Sequence, residues 1–179
     1  MIYFTSDLHF GHKNVIKYEN RPFEGVGEMN KVLIDNWNDT VTDKDEVYIL
    51  GDFSFHGIEA TQSIIRKLNG QKYLILGNHD HVCKKSSVKE MFAWTKDYYT
   101  LKYKDIKFVL FHYPIASWDC KHHGSIHLHG HVHSRPEYNK FLQDNFKNMY
   151  NVGADCNNYT PISIDEVLRR LNYKKEQMP

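Results

Sequence analysis

Cysteines, long apolar runs and an excess of one charge are all scarce or absent in this sequence. Its three cysteines, Cys83, Cys120 and Cys156, are odd in number and show no C-x-x-C spacing, so we expect reduced thiols and neither a disulfide framework nor a thiolate metal site. No apolar run approaches the roughly 18 residues that a transmembrane helix needs. The N-terminus also lacks the basic and apolar segments of a signal peptide. A cytoplasmic protein with no membrane partner is therefore expected.

The charge balance argues against long nucleic acids as partners. Lys and Arg together number 23 and Asp and Glu number 22, which leaves a formal net charge of +1. Such a chain has no global basic field to attract long nucleic acids, so we expect nucleic acid only as a short ligand. Hydrophobic residues make up 41% of the 179 residues, the balance of an ordinary globular protein. We predict one domain over residues 1–179.

Histidine, by contrast, is abundant and clustered. The chain contains 12 histidines. Six of them fall within twelve consecutive residues: His122, His123, His127, His129, His131 and His133. An affinity tag would be terminal and uninterrupted, whereas this cluster is internal and alternates with apolar residues. Since imidazole is the commonest metal ligand in proteins, the pattern predicts a metal site.

Short apolar runs alternate with helical patterns in the first half of the chain. Strands are predicted over residues 2–6, 46–50 and 73–76, and helices over about residues 27–39 and 58–68. Two consecutive strand–helix–strand units favour a parallel sheet.

The second half is richer in strands, and a helix closes it. Strands are predicted over residues 98–103, 107–111, 126–129 and 149–152. Ser163 and Glu166 have the spacing of a capping box at the start of the closing helix. The whole pattern predicts an α/β fold in which two packed mixed β-sheets are flanked by helices, an αββα sandwich.

Polar residues follow five of the predicted strands, at the point where each strand ends. In chain order they form the motifs Asp7-Leu8-His9, Gly51-Asp52, Gly77-Asn78-His79-Asp80, His112 and Gly130-His131-Val132-His133. Ligands bind at the carboxyl ends of the strands in open α/β sheets, so we expect these side chains to meet. Carboxylate, amide and imidazole groups without thiolates suit Mn, Fe or Zn.

The ordered set of motifs resembles that of the calcineurin-like metallophosphoesterase superfamily. In that superfamily D-x-H, G-D, G-N-H-D/E, a lone His and G-H-x-H follow one another, and here they span residues 7–133. The short chain is similar to the small single-domain prokaryotic or phage-type members. The resemblance implies a metallophosphoesterase-like fold and a metal-dependent phosphoesterase. Such an enzyme hydrolyses phosphodiesters or phosphomonoesters by in-line attack of a metal-bridging hydroxide.

The resemblance also implies a dinuclear centre, with manganese favoured and Fe, Zn or Ni as alternatives. The first ion would be held by Asp7, His9, Asp52 and His133. The second ion would be held by Asp52, Asn78, His112 and His131, so that Asp52 bridges the pair. His79 is not a ligand in this scheme. It would stabilise the transition state or protonate the leaving oxygen, with Asp80 as its orienting partner.

Three further residues lie near the motifs in sequence and are candidates for binding the substrate. They are His12, Arg21 and Arg135, because a guanidinium group forks onto phosphate oxygens. An ordinary loop histidine and surface arginines are equally good interpretations.

The second motif narrows the expected substrate. Residues 51–57 lack the arginine that the protein Ser/Thr phosphatases of this superfamily carry there, which argues against a phosphoprotein substrate. A small phosphate ester is the expected substrate, with a diester slightly favoured.

Two alternative functions remain open at this point. The chain is also consistent with a non-catalytic metal-binding protein, although a non-ligand His79 beside Asn78 argues against that. It is also consistent with a nuclease acting on short single strands, in which Tyr113 and Trp118 stack on bases. The physiological substrate and the oligomeric state are not predicted.

Overall fold

The first of two sheets carries the parallel half of the chain. In the computed structural model, which describes residues 1–173, this sheet has the strand order β4-β3-β2-β1-β9. Its strands are β1 (Ile2–Thr5), β2 (Glu46–Leu50), β3 (Gln71–Ile75), β4 (Thr95–Lys96) and β9 (Ile162–Ser163). Strands β1 to β4 are parallel, and β9 is antiparallel to β1. The parallel sheet predicted for the first half is confirmed.

The second sheet has four strands in the order β5-β6-β7-β8. They are β5 (Tyr98–Tyr103), β6 (Ile106–Phe111), β7 (Ile126–His129) and β8 (Met149–Asn151). β5 forms an antiparallel hairpin with β6, while β6, β7 and β8 are parallel. Both sheets are therefore mixed, as predicted.

Six α-helices connect and cover the sheets within residues 1–173. They are α1 (Lys13–Tyr18), α2 (Val26–Thr40), α3 (Ile58–Lys67), α4 (Ser86–Lys89), α5 (Pro136–Asn145) and α6 (Ile164–Arg170). The Ser163 side chain accepts a hydrogen bond from the Glu166 N–H at 3.2 Å, which confirms the predicted start of the closing helix. None of the helices in this part of the chain combines the length and apolar content that crossing a membrane requires.

The apolar core has three layers, because successive strand residues point to opposite faces of a sheet. In β2, Val47 and Ile49 pack beneath α2 and α3, while Tyr48 and Leu50 face the second sheet. Leu142 of α5 covers the outer face of the second sheet. The predicted αββα sandwich is confirmed.

Candidate metal centre

Five loops carry the predicted site residues to one end of the two sheets. Asp7, Asp52 and Asn78 follow the parallel strands β1, β2 and β3, and His112 directly follows β6. His131 and His133 lie in the loop after β7. The sheets join at this end, because the Ala154 N–H donates a 2.9 Å hydrogen bond to the Ser6 carbonyl oxygen.

Buried ligand atoms converge in two overlapping groups. One group consists of Asp7, His9 and His133, and the other of Asp7, Asp52 and His112. Within each group the ligand atoms lie within 4.8 Å of one another, and every residue is buried. Among the described residues, Asp7 Oδ1 and His9 Nε2 are buried without a hydrogen-bond partner. Because an unpaired buried polar atom costs about 1–3 kcal/mol, these atoms fit a site that holds a cation.

The carboxylate of Asp52 lies between the two groups. Its Oδ1 accepts a 2.8 Å hydrogen bond from the backbone N–H of His79, which fixes the plane of the carboxylate. Its Oδ2 lies 3.6 Å from His9 Nε2 and 3.7 Å from His112 Nε2. One oxygen thus faces an imidazole of each group, which is the placement that a bridging carboxylate needs.

Acceptor atoms face one another around Asn78. The Asn78 Oδ1 lies 2.9 Å from His112 Nε2 and 3.1 Å from His131 Nδ1. His112 Nδ1 lies 2.7 Å from the Leu50 carbonyl oxygen, and a carbonyl can only accept a hydrogen bond, so this nitrogen carries the proton. Nε2 of a neutral His112 is then an acceptor opposite another acceptor. A cation between them would turn this unfavourable contact into two ligand bonds.

Burial sets the protonation of these groups. Burial lowers the pKa of His9, and the positive charges of His133 and Arg21 lower it further. Burial also raises the pKa of Asp7 to about 6, although His112 and His133 oppose that rise. Neutral imidazole is the form that binds a metal, and a desolvated carboxylate gains from a nearby cation. The electrostatics of His9 and Asp7 therefore agree with the geometry. At His133 burial lowers the pKa, but the hydrogen bond to Asp155 and the charge of Asp7 outweigh it and raise the pKa.

Five of the seven predicted ligands adopt a left-handed backbone that is uncommon for residues other than glycine. Their φ angles are 54° for Asp7, 53° for His9, 55° for Asp52, 70° for His131 and 48° for His133. Such conformations cost stability and cluster where a surrounding structure fixes functional groups. The five residues lie in the loops that follow β1, β2 and β7, where the chain turns sharply.

Glycines in the motifs leave room for the ligands. A Cβ atom on Gly130 would overlap the side chains of Ser6 and Asp7. Gly51 has a φ of +92°, and a Cβ there would overlap the His112 imidazole. Both glycines are therefore needed for the close approach of one motif to another.

Asp155 belongs to this centre, although sequence analysis did not single it out. Its Oδ2 lies 2.8 Å from His133 Nδ1, which leaves His133 Nε2 free to face the centre. Its Oδ1 accepts a 2.8 Å hydrogen bond from Arg21 Nε. Burial alone would raise the pKa of Asp155, but the His133 hydrogen bond and the Arg21 charge hold it below its usual value. Asp155 follows the end of β8, so the strand-end rule that identified the other motifs could have found it.

Arg21 is a correction to the sequence analysis, which placed it among the substrate-binding candidates. Its guanidinium is buried and donates to both oxygens of Asp155. It also donates to the carbonyl oxygens of Asp7 at 2.6 Å and Leu8 at 3.0 Å. The fifth N–H donates to Met29 Sδ at 3.4 Å, so no donor is left to reach a substrate. Arg21 instead fixes the backbone of the first motif.

Asp80 also differs from its predicted role as the orienting partner of His79. Its carboxylate is buried and accepts hydrogen bonds from the backbone N–H groups of Asp52, Phe53 and Gly77, at 2.8–2.9 Å. It therefore ties the loop after β2 to the loop after β3. The exposed imidazole of His79 instead lies 5.9 Å from that of His9, between ring centroids.

The other two substrate-binding candidates lie at the edge of the centre. His12 Nδ1 is 3.3 Å from His9 Nδ1. Arg135 is exposed, and the pKa of His131, which burial lowers, is lowered further by the Arg135 charge.

The two aromatic residues considered for base stacking have different surroundings. Tyr113 packs against His131, with ring centroids 4.6 Å apart. Trp118 is 8% exposed and donates from Nε1 to the Ser125 carbonyl oxygen, so it has no free face for a base. The stacking role considered for Trp118 is therefore wrong.

Comparison with known proteins finds relatives that match this chain over most of its length. It is 39% identical over 178 residues to an uncharacterized protein of Methanocaldococcus jannaschii, MJ1445, covering 97% of this chain and 93% of that protein. The chain belongs to the MJ1445 family. It is also 31% identical over 160 residues to the gene 66 protein of Mycobacterium phage D29, covering 75% of this chain and 79% of that protein. No protein-family model matches the chain.

A solved structure shares the fold. The protein of unknown function AQ665 from Aquifex aeolicus superimposes with a TM-score of 0.78 at 30% identity, covering 95% of this chain and 98% of that one. Nuclease MPE of Pseudomonas putida matches with a TM-score of 0.47 at 19% identity, covering 74% of this chain and 61% of that chain. Similarity at this second level is too weak to assign an activity.

Proposed function

We propose that this protein is a metal-dependent phosphoesterase with a dinuclear centre in a single catalytic domain. The observation that carries the proposal is the position of Asp52 Oδ2, which lies 3.6 Å from His9 Nε2 and 3.7 Å from His112 Nε2. A carboxylate oxygen between two sets of buried ligands is the arrangement that two bridged cations require.

Each ion would take ligands from both sheets. The first would be held by Asp7, His9, Asp52 and His133, and the second by Asp52, Asn78, His112 and His131. The set contains oxygen and imidazole ligands and no thiolate, which suits manganese best, with Fe, Zn or Ni as alternatives. Two such ions, when bound, would supply an activated water molecule and neutralise charge on phosphoryl oxygens.

The protein's own residues would bind the ester and move the proton. His79 is exposed beside the centre, and its backbone N–H is held by Asp52, so its imidazole is positioned to protonate the leaving oxygen. Arg135 would bind a non-bridging phosphate oxygen, because it is exposed just after the last motif and a guanidinium forks onto phosphate oxygens. The expected substrate is a small phosphate ester.

The first experiment measures hydrolysis of bis-p-nitrophenyl phosphate and p-nitrophenyl phosphate side by side, in Mn²⁺ and in chelator. We expect turnover that depends on Mn²⁺, and the preferred compound separates diesterase from monoesterase activity. A folded protein that binds Mn²⁺ but hydrolyses neither compound would support the non-catalytic metal-binding alternative.

Replacement of His79 by alanine should slow hydrolysis without releasing metal. His79 offers only its backbone N–H to Asp52, and the variant keeps that group. A missing general acid lowers kcat by about 10²–10⁴-fold, and the loss should be greater for phenyl phosphate than for p-nitrophenyl phosphate, whose leaving group needs less protonation. Metal content and kcat are measured on His79→Ala and on a control variant.

His123→Ala is the matched control, because His123 is exposed and lies outside the five motifs. Its turnover and metal content should equal those of the unmodified protein. Unchanged kcat in His79→Ala with either substrate would exclude the assigned role.

A further inference from the structure

Three aromatic rings lie beside the centre and are not among the predicted metal ligands. We call them the aromatic platform: Tyr18, His12 and Phe55. The His12 imidazole stacks on the Phe55 ring, with centroids 4.0 Å apart and planes 15° apart. Tyr18 meets His12 edge-on at 6.3 Å and is 66% exposed, while Phe55 is 38% exposed. Exposed apolar rings beside a polar site are surfaces that a ligand can cover with gain.

The platform adjoins the reacting end of the site. The Phe55 ring lies 5.1 Å from the His9 ring and 5.0 Å from the His79 ring, measured between centroids. His9 in turn approaches Asp52 Oδ2 at 3.6 Å. A single imidazole therefore separates Phe55 from the bridging carboxylate. A flat group joined to a bound phosphate through a sugar would lie against Phe55.

Backbone hydrogen bonds hold the platform in place before any ligand binds. The Phe55 N–H donates to the Phe10 carbonyl oxygen at 2.8 Å, and the Phe10 N–H donates to the Phe53 carbonyl oxygen at 3.0 Å. Asn30 Oδ1 accepts a 3.1 Å hydrogen bond from the Gly11 N–H. The loops that carry His12 and Phe55 are thus joined. A preformed surface binds a ligand without an ordering cost.

We propose that the aromatic platform binds the nucleobase of a nucleotide phosphodiester whose phosphate occupies the centre. This inference rests on the proposed phosphoesterase function and names its substrate class. Phe55 remains 38% exposed with His12 stacked on it, so part of its ring is available to a second planar group. A phenyl ring forms no directional hydrogen bond with a base edge, so recognition by Phe55 should tolerate any base.

Binding measured by calorimetry tests the inference without relying on turnover. Thymidine 5′-monophosphate and its abasic analogue, 1,2-dideoxyribose 5-phosphate, are titrated into the Mn²⁺-loaded protein, since they share the phosphate and the sugar and only the first has a base. We expect thymidine monophosphate to bind about tenfold more tightly, the effect of one stacked base. Phe55→Leu should remove most of this advantage and Phe55→Trp should keep it.

Phe141→Leu is the matched control, because Phe141 is also an exposed phenylalanine, at 53%, and lies on α5. It should leave both dissociation constants unchanged. Equal affinity for the two phosphates in the unmodified protein, or an undiminished thymidine preference in Phe55→Leu, would overturn the inference.

A kinetic comparison separates this inference from the proposed function. Thymidine 5′-p-nitrophenyl phosphate and its abasic analogue, 1,2-dideoxyribose 5-p-nitrophenyl phosphate, have the same sugar and the same leaving group, so the ratio of their kcat/KM values reports the base alone. Mn²⁺-dependent hydrolysis with a ratio near one would retain the phosphoesterase and overturn base recognition. Preferential binding of the thymidine compound without hydrolysis would retain base recognition and overturn the phosphoesterase. Stronger inhibition by a short oligothymidylate than by thymidine monophosphate would indicate that the bound base belongs to the end of a nucleic-acid strand.

Discussion

Asp52→Asn should abolish phosphoester hydrolysis and weaken the binding of both metal ions. The asparagine oxygen can keep the 2.8 Å hydrogen bond from the His79 N–H. Its amide nitrogen then replaces Oδ2 and becomes a donor toward His9 Nε2 and His112 Nε2, which lie 3.6 and 3.7 Å from that position. A hydrogen-bond donor therefore occupies the place where a bridging anion is needed, while the fold keeps its shape.

The measurement combines turnover with metal content. We expect no detectable hydrolysis and fewer than two bound Mn²⁺ ions per chain, with an unchanged circular dichroism spectrum. Asp35→Asn is the control, because Asp35 forms an exposed pair with Lys31 on α2 and should change neither quantity. Full turnover in Asp52→Asn would refute the dinuclear proposal.

Asp155→Asn should destabilise the protein and weaken metal binding at the same time. The substitution leaves the buried Arg21 guanidinium without a counter-charge, and breaking a buried ion pair in this way costs about 3–5 kcal/mol. It also removes the carboxylate that orients His133 through Nδ1. Loss of such a supporting hydrogen bond lowers metal affinity by about 10–100-fold.

The two effects are measured separately. Urea unfolding of the metal-free protein gives the stability loss, and Mn²⁺ titration of the folded variant gives the affinity loss. Asp144→Asn breaks only an exposed pair with Lys140, so it should change stability by about 0–1 kcal/mol. A stable Asp155→Asn protein with unaltered Mn²⁺ affinity would mean that Asp155 does not support His133.

The sequence predicted the elements that depend on local pattern. Val47, Ile49, Tyr48 and Leu50 alternate between two apolar layers, and a buried parallel strand of this kind reads as a continuous apolar run. The polar residues after such runs stood out because they interrupt a continuous apolar pattern. Parallel strands end at one edge, so the meeting of Asp7, Asp52 and Asn78 followed from topology. By contrast, α5 begins at Pro136 and buries only Leu142, so its apolar pattern was too sparse to predict.

The contacts that sequence analysis missed join distant parts of the chain. Arg21 and Asp155 are 134 residues apart. Nothing in the sequence around either residue indicates that the two charges pair. An arginine near the first metal-ligand motif suggested an anion-binding role, whereas in the structure its charge pairs with Asp155 inside the protein. The role of Asp80 was missed for a related reason, because backbone N–H groups carry no sequence signal.

The long span of these contacts affects how long the protein survives in a cell. Asp7 accepts a hydrogen bond from the backbone N–H of His131, which is 124 residues away in the sequence. Both sheets must therefore fold and pack together before the metal ligands come into contact. A metal ion would then bind the native state and not the unfolded chain, and at 100 times its dissociation constant it would add about 2.7 kcal/mol of stability. Because proteases act on opened chains, the supply of metal would govern the abundance of the protein as well as its activity.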